Sequence, residues 1–409
     1  MARRIAVIGT LDTKGYEVRY LVEAIRRQGE QTVVIDCGVV GEPAFAPDVS
    51  SVEVAQAGGG DLAELRRRGD RGAAVATMVE GVGEIMRRLW AEGEMSGAVA
   101  LGGSAGTLLG ASAMAGLPFG VPKLIVSTLA SGDVRPYVGT RDVTMMHSVV
   151  DILGLNRVLR EVLDNAAGAI CGMVRAREER PAGEEKPLVG ITMFGVTTPC
   201  VMRAREILED AGYETLVFHA VGTGGQALEE LIRDGKISGV LDITTTELAD
   251  ELVGGVLSAG PDRLTAAGEM GVPQVVAPGA LDMVNFWALD TVPEQFRGRN
   301  LYKHNENVTL MRTTRQENEQ LGAIIGQKLS AARGPTKVIL PLRGVSALDR
   351  EGQPFDDPEA RQALYDCLKS CVGENVEVIE LDNHINDPEF AERAATELMA
   401  MMKHQGSAP

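Results

Sequence analysis

Asp12, Thr13 and Lys14 stand inside the turn Gly9-Thr10-Leu11-Asp12-Thr13-Lys14-Gly15, directly after the apolar run Ile5–Ile8. A carboxylate, hydroxyls and an ammonium at a helix start are the residue types that hold a phosphate and its magnesium ion. N–H groups at the helix start donate to the anion, Lys14 neutralises phosphate oxygens, and Asp12 binds Mg²⁺ directly or through water. The competing reading has Asp12 and Thr13 capping the helix, with Lys14 in solvent. A second loop of this kind, Gly102-Gly103-Ser104-Ala105-Gly106-Thr107, follows the apolar run Gly97–Leu101. Ser127 and Thr128 end a third run and offer further hydroxyls. Asp36 ends the second expected strand, where many doubly wound folds keep a ribose-binding acid, although it could equally satisfy a turn.

The second half carries its own set. Thr197 and Thr198 close the turn after Leu188–Met193, and Thr198-Pro199 reads as a helix start. His219 precedes Gly222-Thr223-Gly224-Gly225-Gln226-Ala227, which satisfies G-x-G-x-x-A between a strand and a helix. It follows the second strand of its half rather than the first, which weakens a dinucleotide reading. Neither opening turn is a Walker loop, because no Gly-Lys pair is followed by Ser or Thr. Among the 5 histidines there is no H-E-x-x-H or other zinc spacing. His304 lies in a polar, cationic stretch, Asn300–Thr314, and His384 lies in the acid- and amide-rich turn Asp382–Pro388. Together with Arg343 and Ser346 these loops could form a pocket for a small anionic metabolite, with His304 or His384 as acid/base. The alternative is that they are cap and turn residues. Cys367 and Cys371, four apart on an expected helix, read as structural thiols.

The elements that must position these residues repeat a strand-then-helix grammar. Strands are expected at Arg4–Gly9, Thr32–Ile35, Gly97–Leu101 and Pro122–Val126, with helices from Thr13, over Ala73–Glu92 and over Leu155–Arg175. Gly41 to Arg71 reads as an irregular segment with short pieces of structure, covering the site. The grammar restarts at Leu188, after the charged, Pro-containing stretch Glu178–Pro187, which reads as a linker. An internal repeat supports duplication: SGAVALGGSAGTLLG from Ser96 aligns with SGVLDITTTELADELVG from Ser238, and GVPKLIVSTLASGD from Gly120 with GVPQVVAPGALD from Gly271. The fold class expected is therefore α/β. It consists of two Rossmann-like, doubly wound domains with mainly parallel sheets, 1–180 for nucleotide and 181–409 with the larger sheet.

Composition bounds the partners. The 409 residues carry a formal charge of −17 and 4% aromatics, which argues against nucleic-acid backbones and base-stacking surfaces. No apolar run approaches the ~20 residues of a membrane helix. The first strand begins almost at once, leaving no room for a signal peptide, and the 5 cysteines lack disulfide-like spacing; a reducing cytoplasm is expected.

The motifs GTLDTKG (from Gly9), FGVTTP (from Phe194), FHAVGTGG (from Phe218), LYKHNENVTLMRTT (from Leu301), GVSALDREGQPFDDPEA (from Gly344) and HINDPEFA (from His384) occur in order along nearly the whole chain. In them the chain resembles the ATP-binding-domain family typified by the tomato mosaic virus resistance protein. That resemblance implies two Rossmann-like domains, ATP with Mg²⁺ as ligand, and a homodimer. Two functional classes compete with a plain ATP-binding protein. One is an enzyme acting on a small carboxylate or sugar acid in the second-domain or inter-domain cleft. The other is an interaction module stabilised by ATP.

Overall fold

In a computed structural model, described for residues 4–179 and 186–405, the chain divides into two compact units, 1–183 and 184–409. The centre of the expected linker, residues 180–185, lies outside the described residues.

Among the described residues, the first unit is built on five strands: β1 (Arg4–Gly9), β2 (Gln31–Asp36), β3 (Met95–Gly102), β4 (Lys123–Ser127) and β5 (Thr144–His147). They lie in the order β2-β1-β3-β4-β5, and every pairing is parallel. Strand β1 shows why the sheet is buried on both faces. Ile5 and Val7 enter a core with helices Leu11–Arg27 and Arg157–Glu178, while Ala6 and Ile8 enter another with helices Arg71–Ala91 and Ser104–Ala115. The chain leaves β1 to reach β2 on one side and later returns to place β3 on the other. The connections therefore diverge at the C-terminal ends of β1 and β3, the strand-order reversal where open α/β sheets present a crevice.

Among the described residues, the second unit has six parallel strands, β6 (Leu188–Met193), β7 (Glu214–His219), β8 (Gly239–Thr244), β9 (Gln274–Gly279), and, past an antiparallel insertion, β13 (Thr336–Pro341) and β14 (Val376–Leu381). Their order is β14-β13-β9-β8-β6-β7. The insertion is a separate three-stranded sheet of β10 (Met283–Phe286), β11 (Leu301–Lys303) and β12 (Thr309–Arg312). Helices Thr198–Asp210 and Pro388–Gln405 cover one face of the large sheet, and Arg315–Ser330 and Pro358–Cys371 cover the other. Counted within each unit, both sheets share the order 2-1-3-4-5, with one more strand in the second. The two repeated sequence segments fall on the third strand (β3, β8) and the fourth (β4, β9) of each sheet.

Local signals explain most boundaries and some departures. The first helix begins at Leu11 with Thr10 at the N-cap, three residues before the expected Thr13. Buried Asp36 accepts the Leu11 N–H at 2.9 Å and so starts the helix from outside its own sequence. The stretch from Gly41 to Arg71 contains helices Ser51–Ala57 and Leu62–Arg68, capped by Ser50 (with Glu53 completing a capping box) and by Asp61. Strand β5, an edge with no fully buried residue, and the short β11 were not anticipated, because neither shows a clean apolar period.

Helix Ser51–Ala57 crosses helix Arg71–Ala91 at two glycines. A Cβ on Gly81 would lie 1.8 Å from the Val54 carbonyl oxygen, and one on Gly58 would lie 2.0 Å from the Thr77 carbonyl oxygen. Gly81→Ala is expected to cost ~1–3 kcal/mol or more by overpacking backbone against backbone. Gly83→Ala, whose Cβ would meet nothing nearer than 3.8 Å, should be neutral or stabilising through helix propensity. Urea unfolding of both variants checks this, and equal midpoints would refute the close crossing.

Candidate functional site

At the strand-order reversal of the first unit, the turn after β1 and the turn after β3 face a common cavity of about 640 Å³. Thr10, Asp12, Thr13 and Lys14 line one side, and Gly103, Ser104, Ala105 and Gly106 line the other. Leu65, Val75, Met78 and Leu109 make an apolar wall, and Arg66, Asp70 and Arg71 stand at the polar end.

Each wall is held by specific contacts. Asp36, 1% exposed, lies beneath the cavity: its Oδ1 accepts N–H bonds from Leu11 (2.9 Å) and Gly38 (2.8 Å). Burial, with the nearby Asp12 charge, raises its carboxyl above the usual range, against the pull of the two N–H bonds. Asp12 Oδ2 accepts from Val40 N (2.7 Å) and Gly41 N (3.1 Å), while its buried Oδ1 has no partner. A Cβ on Gly38 would come within 2.6 Å of that Oδ1, so a side chain here would displace the loop from the carboxylate. Arg66 fastens the same loop from the other side through Val39 O (2.8 Å) and Gly41 O (2.7 Å). Lys14 has left helical geometry (φ −129°, ψ 22°), and its Nζ donates to Ile152 O at 2.6 Å. Thr10 and Thr13 share a hydroxyl hydrogen bond of 2.8 Å.

The helices entering this cavity are conspicuous for what does not cap them. Thr10 and Gly103, the N-caps of Leu11–Arg27 and Ser104–Ala115, make no side-chain cap hydrogen bond. Of the other N-caps in the unit, Ser50, Asp61, Asp70 and Asn156 do, and Val134, before the four-residue helix Arg135–Val138, does not. First-turn N–H groups have no intrahelical acceptor, so the Ser104 end presents donors and positive dipole to the cavity. Gly102 lets this turn close, since a Cβ there would lie 2.7 Å from Gly106 Cα.

Other expected ligand residues stand behind this surface. A Cβ on Gly9 would lie 2.6 Å from the Val18 side chain, so Gly9 serves helix packing. Thr107 and Ser127 are fully buried and bonded to each other at 2.6 Å; Thr107 also donates to Gly103 O, and Ser127 accepts from Leu129 N. Thr128 sits beside Gly103, with its N–H 3.3 Å from Gly102 O. Leu65, Arg66, Asp70, Arg71 and Met78 were missed, because their segment carries no strand-to-loop motif. The usable signals were Asp61 and Asp70 as caps before apolar runs, and the basic cluster Arg66–Arg68 with Arg71 in an acidic chain.

In the second unit the loop after the second strand, β7, is occupied by the chain itself, while the helices after β6 and β8, the counterparts of the two crevice loops, have N-caps Thr197 and Thr246 with no side-chain cap hydrogen bond. Glu247, fully buried, accepts N–H bonds from Gly222 (2.7 Å) and Gly225 (3.0 Å), the donors of the G-x-G-x-x-A loop. Thr223 opens the helix of that loop, and a Cβ on Gly224 would lie 1.9 Å from His219 O. His219 meets Phe194 edge-on at 5.5 Å, and partial burial lowers its pKa. Glu247 pairs in turn with Arg263 (2.7 Å), which is 1% exposed and holds Asp242 through two bonds of 2.6 and 2.7 Å. Burial works against the Arg263 charge, but Asp242, Glu247 and Glu229 outweigh it and raise its pKa well above the ordinary value. The buried Thr197 hydroxyl bonds to Thr244 (2.8 Å), and Thr198 bonds to Phe194 O and Gly195 O.

His384, Ser346 and Arg343 are likewise engaged. His384 is 4% exposed; its Nε2 lies 2.8 Å from Ser346 O, and its Nδ1 accepts from Asn386 N at 3.1 Å. Those partners assign the neutral Nε2–H tautomer, and burial lowers the pKa further. Ser346 donates to Asp282 Oδ2 (2.7 Å) and accepts from Leu348 N and Asp349 N. Arg343 forms an exposed fork with Asp382, at 2.8 and 2.6 Å. His304 is exposed on the β11–β12 turn, with its backbone N–H bonded to Val308 O. Among the described residues no group of three or more His, Cys, Asp or Glu forms a metal-holding cluster, and no helix is long and apolar enough to cross a membrane.

The fold and these loops define a two-unit α/β protein whose first unit keeps an open crevice at its strand-order reversal. The chain belongs to the uncharacterised protein family UPF0261: its N-terminal domain model matches residues 3–179 and its C-terminal domain model residues 186–402. A UPF0261 protein of Clostridium tetani is 53% identical over 404 residues, covering 98% of this chain and 100% of that protein. The ToMV resistance protein Tm-1(GCR237) of Solanum lycopersicum is 43% identical over 414 residues, covering 95% of this chain and 54% of its own length. This chain thus spans about half of the tomato protein. Among solved structures, a UDP-N-acetylglucosamine 2-epimerase from Rickettsia bellii aligns with 99% of this chain and 96% of its own at 10% identity, with a TM-score of 0.23.

Two buried carboxyls in the second unit tie stability to pH. Burial, reinforced by Asp349 and opposed by Arg312, pushes Asp282 up to about 7, and burial with the Glu247 charge does the same for Asp250. A folded pKa raised above the unfolded ~3.9 means that the folded state keeps a proton which the unfolded chain has released. Stability should therefore fall as pH rises from about 4 to about 7, and level off above. Asp282→Asn should gain stability relative to the wild type between pH 5 and pH 8 in chemical denaturation; a pH-independent difference would sink this assignment. Arg263→Met, which leaves Asp242, Glu247 and Glu229 buried without their cation, should cost ~3–5 kcal/mol, measured by the same method.

Proposed function

We propose that the first unit binds ATP with Mg²⁺ in the cavity between the β1 and β3 turns. The observation that carries this reading is one crevice that joins an uncapped helix N-terminus at Gly103–Gly106, a partnerless carboxylate oxygen on Asp12, and cations at Lys14, Arg66 and Arg71. The residues fit such a ligand. The Ser104, Ala105 and Gly106 N–H groups would hold phosphate oxygens, with Lys14 and Arg71 neutralising charge. Lys14 keeps donors to spare beyond its bond to Ile152 O. Asp12 Oδ1 would take the magnesium or its water, in keeping with Mg²⁺ bound through one or two carboxylates and phosphates rather than a protein cage. Leu65, Val75, Met78 and Leu109 offer the nucleoside an apolar wall. Asp36 acts from beneath by fixing the helix start and the Gly38 loop rather than by reaching a ribose.

The resemblance of the sequence motifs to the ATP-binding-domain family typified by the tomato mosaic virus resistance protein implies the same ligand. ATP binding does not by itself separate an enzyme from a regulated binding module, and a homodimer of cytoplasmic protein remains the accompanying expectation. Calorimetry with MgATP is the test. Lys14→Ala and Arg71→Ala should each weaken binding by ~1–3 kcal/mol, as for lost hydrogen bonds to a charged group. No heat and no thermal shift from millimolar MgATP with the wild type would overturn the reading.

A further inference from the structure

A second concavity adjoins the first. It is an open groove of about 1040 Å³, and it shares Arg71, Val75, Ser104 and Ala105 with the cavity just described. The shared residues are the first turns of helices Ser104–Ala115 and Arg71–Ala91, where the proposed phosphates would lie. Beyond them the groove carries Val79 and Leu108 as an apolar strip, with Glu80 and Tyr137 at its edge. Gly58, where helix Ser51–Ala57 crosses closely on helix Arg71–Ala91, also lines it. Arg71 is exposed and has no hydrogen-bond or ion-pair partner among the described residues, unlike Arg66, Arg67 and Arg68, which are all engaged.

We propose that this groove is a second ligand subsite, reached from the terminal phosphate of the nucleotide. It would receive a small organic anion whose acid group faces Arg71 and whose apolar part lies on Val79 and Leu108. The inference rests on the nucleotide reading above and adds a direction to it: the nucleoside lies toward Leu65 and Met78, and the terminal phosphate opens toward Leu108. A site of this form admits two ligands side by side at one helix N-terminus, whereas a closed nucleotide sensor would have no room beyond the terminal phosphate.

The test compares ATP with its γ-amide of 4-aminobutyrate, a probe carrying a carboxylate on a short apolar arm beyond the terminal phosphate. Both are titrated by calorimetry into the wild type and into Leu108→Trp, which narrows the groove from an exposed helix face. The expected result is that the probe binds the wild type within threefold of ATP or more tightly, and that the tryptophan weakens the probe by more than threefold beyond its effect on ATP. A probe more than threefold weaker than ATP on the wild type, or one affected no more than ATP by the tryptophan, overturns the subsite while leaving the nucleotide reading intact. If ATP itself does not bind, the nucleotide reading fails and the subsite falls with it.

Discussion

The constraint on which both units depend is the fate of N–H groups where helices begin behind a parallel sheet. Every β-to-α turn points such donors at the same edge, and each set needs an acceptor. In the first unit most starts are served by side chains such as Ser50, Asp61, Asp70 and Asn156. Asp36 accepts from the Leu11 N–H, and the Gly103–Gly106 turn at the strand-order reversal is left without a side-chain acceptor. This is the electrostatic condition for an anion site.

In the second unit the start after the second strand, β7, is met from within, whereas the helices after β6 and β8, with N-caps Thr197 and Thr246, have no side-chain cap. Glu247 serves the Gly222–Gly225 loop, Glu229 accepts from Leu264, Thr265 and Ala266, and Asp242 holds Thr192. Bringing three carboxylates into one interior would be prohibitive without a cation, and Arg263 supplies it at distances of 2.6 to 3.5 Å. Leu264, held at φ +72°, shows the backbone conformation that the Glu229 contacts maintain.

The segment from Gly38 to Arg71 links sheet and crevice. Its first turn is tied to the helix start by Asp36 and Asp12, and Arg66 comes back from a later helix to clasp the same turn. The glycine crossing at Gly58 and Gly81 then sets how closely this segment lies on helix Arg71–Ala91. The cavity wall formed by Leu65, Val75 and Met78 is a consequence of that packing.

Much was legible in the sequence because it is local. The apolar runs before Gly9, Gly102 and Met193 determined the parallel strands, and the repeated SG and GVP segments determined that two similar sheets exist. The Gly/Thr turns marked Thr10–Lys14 and Gly103–Gly106 as surfaces where strands give way to helices. Residue types could not decide which polar groups remain available once the chain is folded. Thr107, Ser127, Thr197, Ser346 and His384 have the chemistry of ligand residues, yet each is buried against another part of its own unit. Likewise, Gly222–Gly225 reads as an anion loop, and only the fold brings Glu247, 22 residues from Gly225, into its donors. Arg66, Arg71 and Met78 enter the first-unit crevice from a segment with no motif of its own. A hydrogen bond between residues distant in sequence depends on where strands and helices carry them, so the supply of donors and acceptors follows from the sequence, while their pairing is decided by tertiary structure.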